Sequence, residues 1–187
     1  LWIGTDGGGI NVFENGKRTA IYNKENGKLM SNSVLCSLKD SENNLWFGTY
    51  LGNISHYNKQ SGEFKTIELE KGKLLDIRTF YEDQEKNIWI GTHKGIYVFS
   101  LSKKKVVKHY NTLNCQLPEN LVRSIAQDDK GRFWIGTFGG GIGVYTPQMQ
   151  LIKKFNQYEC FCSNTINSIY LSKSKQVWVA TGEGLVC

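Results

Sequence analysis

The sequence predicts an all-β protein built from one four-stranded antiparallel module repeated along the chain. Three observations predict it. The tetrapeptide Trp-Ile-Gly-Thr or a near copy recurs at Trp2, Trp46, Trp89, Trp134 and Trp178, in steps of 44, 43, 45 and 44 residues, and these five are all the tryptophans. Apolar residues alternate at period two before and after each copy, which is a strand signal. No segment carries a helical period. A repeat of this length marks one supersecondary unit used in an array.

The elements follow in order when the copies are aligned on Trp. Twelve residues before it stands a β-branched residue, Val34, Ile77, Val122 or Ile166, and the same face continues through Cys36/Leu38, Thr79/Tyr81, Ser124/Ala126 and Ser168/Tyr170. This is strand A. Asp40, Asp83 and Asp128, with Ser172 in the fourth copy, then open polar tetrapeptides rich in Asp, Asn, Ser and Gly. Such residues make turns by capping backbone groups and by tolerating left-handed backbone. Strand B carries the Trp, and its Gly48, Gly91 and Gly136, with Ala180 in the last copy, mark a slot for a close approach of adjacent backbones. A glycine-bearing turn leads to strand C at 10–13, 54–57, 96–99 and 142–145, and strand D is clearest at 64–67, 106–110 and 151–155. A D–A loop of about ten residues reaches the next copy.

Four antiparallel strands in this span describe a β-propeller blade, which cannot bury its faces without neighbours. The register divides the chain into a partial blade at 1–22 with strands B, C and D, blades at 34–67, 77–110 and 122–155, and a partial blade at 166–187 with strands A, B and C. A closed four-blade ring would leave 176–187 duplicating 1–12. The expectation is therefore one propeller segment, an open arc of about four repeats of a larger ring.

Composition agrees with a globular β domain: 40% hydrophobic, 12% aromatic, 20 glycines and only 2 prolines in 187 residues. No apolar run approaches the roughly 18 residues that span a bilayer as a helix, so the segment is expected to be soluble. The net charge of +6 includes the run Lys103-Lys104-Lys105, for which a solvated turn between two strands is sufficient. No nucleic-acid module accompanies it, and no nucleic-acid partner is expected. Five cysteines make no framework of paired disulfides. Cys36 fills a small core slot, whereas Cys115, Cys160 and Cys162 fall in neighbouring D–A loops, where a disulfide is open to them. Cys160-Phe161-Cys162 lacks the second ligand pair of a zinc site, so neither metal nor cofactor is expected.

The aligned residues resemble the two-component regulator propeller repeat. Its pattern is met by Val122-Arg123-Ser124-Ile125-Ala126-Gln127-Asp128, Gly131, Phe133-Trp134-Ile135-Gly136-Thr137 and Gly139-Gly140-Gly141-Ile142. The family loop before strand A is similar to Leu117-Pro118-Glu119-Asn120, with looser versions at Met30-Ser31-Asn32 and Cys162-Ser163-Asn164. Leu75 in place of Asn and Ser172 in place of Asp depart from it. The resemblance implies the periplasmic sensor region of a membrane-bound hybrid histidine kinase of the gut-bacterium type, responding to an oligosaccharide. The rest of the propeller, the signalling domains and a homodimeric sensor are the partners it implies.

Within a blade, the B–C turn and D–A loop share one end, and the A–B and C–D turns share the other. Irregular loops on a rigid scaffold favour the first end for recognition. Four residues after Trp, that turn carries Asp6, Tyr50, His93, Phe138 and Gly182, a slot that changes from blade to blade. Eleven residues before Trp, strand A carries Leu35, Arg78, Arg123 and Asn167. Arg78 and Arg123 suit forked hydrogen bonds to a uronate or sulfate, while Tyr50 and Phe138 suit stacking on a sugar face. The competing reading pairs the arginines with nearby acids and packs the aromatics between blades. Two other classes remain beside a sensor. A propeller lyase or hydrolase would have only His93, Arg78 and Arg123 to draw on, and no catalytic residue is assigned; a protein-interaction scaffold needs no site chemistry.

Overall fold

The structure is a computed structural model that describes residues 1–158 and 163–187. The regular structure of these residues is all β, in two compact units, Leu1–Glu82 and Asp83–Cys187. The boundary falls inside the repeat at 77–110. The first unit holds a sheet of β1 (Trp2–Thr5), β2 (Gly9–Glu14) and β3 (Lys17–Tyr22), and a four-stranded sheet of β4 (Val34–Lys39), β5 (Leu45–Thr49), β6 (Ile54–Asn58) and β7 (Glu63–Ile67). Its last strand, β8 (Ile77–Glu82), packs on β4 and β5.

The second unit begins with β9 (Asn87–Thr92), β10 (Gly95–Ser100) and β11 (Lys105–Tyr110), paired in that order. A four-stranded sheet follows, β12 (Val122–Gln127), β13 (Phe133–Thr137), β14 (Gly141–Tyr145) and β15 (Leu151–Phe155), then a sheet of β16 (Ile166–Leu171), β17 (Val177–Thr181) and β18 (Gly184–Val186). Each sheet runs in chain order with antiparallel neighbours, which is the strand order of a propeller blade. Strand C is largely buried and strand D exposed, as in β14 against β15.

Each full A–B turn is built on one carboxylate. Asp40 Oδ2 accepts the indole N–H of Trp46 at 2.8 Å, and its Oδ1 accepts the backbone N–H of Asn44 at 2.8 Å and of Glu42 at 3.0 Å. Asp83 does the same for Trp89, Asn87 and Glu85, and Asp128 for Trp134, Arg132 and Lys130. Burial opposes the charge on Asp128, but these donors and the Arg132 guanidinium outweigh it and hold its pKa below the ordinary carboxylate value. The third turn residue is left-handed in every case, Asn43 at φ 66°, Lys86 at 58°, Gly131 at 76° and Lys175 at 65°. In the last copy Ser172 Oγ reaches only the Gln176 N–H, at 3.0 Å, and Ser174 Oγ, so the Trp178 indole has no carboxylate beneath it.

The glycine of Trp-x-Gly-Thr makes room for a side chain rather than for backbone. A Cβ on Gly4 would lie 2.5 Å from Val34 Cγ1; on Gly48 it would lie 2.5 Å from Cys36 Sγ and 2.6 Å from Ile77 Cγ2; on Gly136 it would lie 2.5 Å from Ile166 Cγ2. The β-branched residue that opens strand A of the next repeat thus plugs into the glycine of the one before. Close packing of this kind joins the modules. In the first unit Ile10, Leu29 and Phe47 form the core, flanked by Trp2, Tyr22, Val34, Leu45, Tyr57 and Phe64; in the second, Ile142, Val144, Ile166, Ile169 and Val179 do so. Cys36 lies in this packing, with burial pushing its thiol pKa up to about 12. Cys115 is a buried free thiol pushed up to about 11 by burial, and Cys160 and Cys162 lie outside the described residues.

Three stability outcomes follow from this geometry. Asp40→Ala strands the Trp46 indole and the Asn44 N–H without acceptors, and should cost about 2 to 4 kcal/mol in denaturant unfolding. Ser172→Asp, which places a carboxylate under Trp178, should instead stabilise by about 1 kcal/mol. Gly136→Ala should destabilise by about 1 to 3 kcal/mol through overlap with Ile166, and Ile166→Ala in the same chain should cost less than its own single effect predicts.

Candidate functional site

The slots that differ between repeats all lie at the B–C end of the blades. The turn there has a constant frame. Its threonine hydroxyl donates to the carbonyl four or three residues on, at 2.9 to 3.0 Å, in Thr5, Thr49, Thr92, Thr137 and Thr181. The asparagine that precedes strand A hooks this turn to the following D–A loop. Asn32 O accepts from Gly7 and Gly9, and Asn164 O from Gly139 and Gly141, while their side-chain oxygens accept from Lys24 and Gln157. Asn120 is used in the same way, toward Gly95 and Thr112. The motif containing these asparagines is visible in the sequence, but this bridging role is not.

In the second unit, Arg123, Phe138 and Asn167 come together. The Arg123 guanidinium lies 4.3 Å from the Phe138 ring centroid, and its Nη1 donates to Asn167 Oδ1 at 2.7 Å. Asn167 Nδ2 in turn donates to Thr181 O at 3.2 Å. The reason both residues leave the sheet is a β-bulge. The pairing of β12 with β13 passes from Val122 to Ser124, and that of β16 with β17 from Ile166 to Ser168, so Arg123 and Asn167 are skipped by the ladder. A bulge re-aims a side chain in this way. Leu35 occupies the same skipped place in β4. Period-two alternation cannot show a bulge, so the sequence placed these residues on strand A but not off its ladder.

In the first unit, Tyr50, Asp76 and Arg78 come together. Arg78 Nη2 donates to Asp76 Oδ2 at 2.9 Å, the Tyr50 ring centre lies 5.9 Å from the guanidinium carbon, and Asp76 Oδ1 accepts the Leu51 N–H at 2.9 Å. Arg78 Nε is buried with no hydrogen-bond partner. Asp76 stands where other repeats have Ser33, Leu121 or Thr165, and Leu75 replaces their asparagine. The carboxylate therefore takes over the loop-to-turn bridge that Asn carries elsewhere. The repeat pattern shows the missing Asn at Leu75, but nothing in it marks Asp76 as the substitute. Leu75 itself is fully buried.

Both geometries that the sequence set against each other are present. Arg78 has an acid partner, and each arginine lies against the aromatic of the Trp+4 slot. Those rings nevertheless stay open to solvent, Tyr50 at 47% and Phe138 at 44% exposed, so part of each remains available to a ligand. His93 sits partly buried in the B–C turn of its own repeat, beside Lys94, whose carbonyl meets His109 Nε2 at 2.8 Å. Among the described residues no group of three or more His, Cys, Asp or Glu could hold a metal ion.

Three stretches, 28–51, 73–94 and 116–139, match the family model of the two component regulator propeller. Over its whole length the chain is similar to the extracellular domain of the hybrid two component system BT3049 from B. thetaiotaomicron, with 72% identity and a TM-score of 0.92, covering 25% of that chain. It also superposes on the extracellular domain of the one component system BT4673 from B. thetaiotaomicron, at 19% identity and TM-score 0.81, covering 98% of this chain and 25% of that one. The WD40 beta propeller domain of Doa1 shares the fold at 13% identity, TM-score 0.67, with 95% of this chain and 56% of that one covered. No curated protein sequence matches. The chain thus spans about a quarter of the length of the two extracellular domains it resembles. With the clamped Trp, the plugged glycine and the turn threonine repeated in register, it belongs to the two component regulator propeller family.

Proposed function

We propose that this chain is part of the ligand-sensing propeller of a membrane-anchored hybrid two component sensor, facing the periplasm, and that it recognises an oligosaccharide. The observation that carries the reading is the Arg123–Phe138–Asn167 group: a cation laid on an exposed ring, with an amide beside it, on residues released from the ladder by bulges. A guanidinium offers a fork of donors to a carboxylate or sulfate, the half-exposed ring offers apolar surface, and the amide offers a donor and an acceptor to hydroxyls. Tyr50 and Arg78 supply the same chemistry on the first unit, and His93 the corresponding slot of a third repeat. The similarity to the extracellular domain of a hybrid two component system supports the sensor role. Binding, with no bond broken, is the function in this reading, and signalling belongs to the kinase and the remaining propeller.

A thermal-shift panel of neutral and acidic oligosaccharides on the full sensor tests it. Short uronate or sulfate-bearing oligomers should raise the melting temperature, without turnover. Arg123→Ala should weaken that binding by roughly tenfold or more, the size of one charge-assisted hydrogen bond, while leaving the unliganded melting temperature near its starting value. Arg78→Ala with Arg123→Ala leaving affinity unchanged would rule the site out, and conversion of an oligosaccharide to product would establish an enzyme instead.

A further inference from the structure

The charge of this chain is divided between its two units. Leu1–Glu82 carries 10 Lys and Arg against 10 Asp and Glu, whereas Asp83–Cys187 carries 13 against 7, so the whole net charge of +6 belongs to the second unit. Within it the excess gathers at the end formed by the A–B and C–D turns, opposite the B–C turns. Lys86, Lys103, Lys104, Lys130, Lys173 and Lys175 stand exposed in those turns, and Lys105 opens β11 beside them.

The acids of the same end are largely spent. Asp83 and Asp128 turn inward to hold Trp89 and Trp134, Asp128 also pairs with Arg132, and Asp129 is paired with Lys175 at 2.8 Å. Only Glu85 adds an exposed carboxylate without an ion pair among the described residues. Lys103, Lys104, Lys105, Lys130 and Lys173 have no ion pair there either. Their field is not cancelled locally.

This end is also grooved. A cleft of about 720 Å³ runs between the turns of β9–β11 and of β12–β15, with Lys103, Lys108, Gln127 and Gln148 among its walls and with Glu85 and the inward-turned Asp83 as its carboxylates. A second, of about 460 Å³, lies between the turns before β13 and β17; Arg132 and Lys175 in its wall are paired with Asp128 and Asp129, which leaves Lys130 and Lys173 as its uncompensated cations. Cations set along successive grooves, with amides for hydroxyl groups, suit a long flexible anion whose charges recur along its length. The rings beneath the first cleft are closed off, Trp89 at 5% and Phe133 at 2% exposed, and the second is lined by a single part-buried ring, Trp134, so there is no row of platforms for successive stacked bases. A bilayer surface would meet the rims of these clefts and leave the amides unused.

We propose that the A–B and C–D turn end of the second unit is a docking face for a linear polyanionic polysaccharide, one rich in carboxylate or sulfate. It is separate from the oligosaccharide site proposed above and does not rest on it. The face holds a long polymer at many weak points, whereas the B–C end takes a short one.

The test uses the full sensor, immobilised, with polygalacturonate and dextran sulfate as probes, neutral dextran as control, and phosphatidylglycerol vesicles as the competing surface. Binding of the two polyanions, none of dextran, and weakening as salt rises from 50 to 300 mM are expected, because screening acts on exposed charges at about a Debye length. Lys103→Glu, Lys104→Glu and Lys105→Glu together, with Lys130→Glu and Lys173→Glu, should lower polyanion affinity roughly tenfold or more. The corresponding Gln set should lower it less, and the Glu set should lower it by the same factor when Arg78→Ala and Arg123→Ala are also present, which separates this face from the other end. The replaced lysines are all exposed, and melting temperatures within a few degrees of the parent verify folding. Equal binding of dextran, unchanged affinity in the Glu set, or capture of vesicles without polysaccharide would each overturn the proposal.

Discussion

A single carboxylate under a tryptophan organises each complete repeat. The Asp of the A–B turn has two oxygens and four lone-pair directions, and it spends them on the turn's own N–H groups and on the indole N–H of strand B. In these repeats it closes the turn and gives the indole nitrogen its acceptor; the Ser172 turn closes on a hydroxyl instead, and there Trp178 is only partly buried. Register between strands A and B is set at the same moment, because the indole reaches the carboxylate only when Trp46 lies opposite Leu38, or Trp134 opposite Ala126. Everything else in the blade is placed relative to that pair.

The second constraint is steric and links one repeat to the next. Glycine in the Trp strand leaves a hole that Val34, Ile77 or Ile166 of the following strand A fills. Polar chemistry thus sets the blade, and an apolar plug sets its neighbour. The division of labour leaves two places without a structural assignment: the slot four residues after Trp, beyond the turn threonine, and the residue skipped by the bulge in strand A. Recognition chemistry can change there without disturbing either constraint. Arg123 and Phe138 occupy those slots, which is why a guanidinium can lie on a half-exposed ring at so little cost to the fold.

The two ends of the blades therefore differ in kind. The B–C end is held by Thr hydroxyls and Asn carbonyls, neutral groups that leave its variable side chains to carry whatever charge is present. In the second unit the A–B end binds most of its acids in the turns and in ion pairs and shows its lysines outward. At the Leu75–Asp76 junction the neutral Asn bridge is replaced by a carboxylate, and an arginine, Arg78, is drawn to it. Local repair of the scaffold and local charge at the candidate site are there the same event.

The sequence by itself determined the repeat, the strand order and the residues that recur, because period-two alternation and a fixed Trp spacing are one-dimensional quantities. Asp40, Asp83 and Asp128 were legible as turn openers, and Gly48 and Gly136 as tight positions. Their partners were not, since an indole six residues on and an isoleucine some thirty residues on are met only after the chain has folded back. The sequence also brought Arg123, Asn167 and Phe138 into view as changing slots. Only the tertiary structure decided that a bulge expels the first two from the ladder, that Asp76 replaces an asparagine carbonyl, and that the grooves lie at the end where the acids are already bound. Each of those depends on hydrogen bonds and packing between residues far apart in sequence, which no local pattern records.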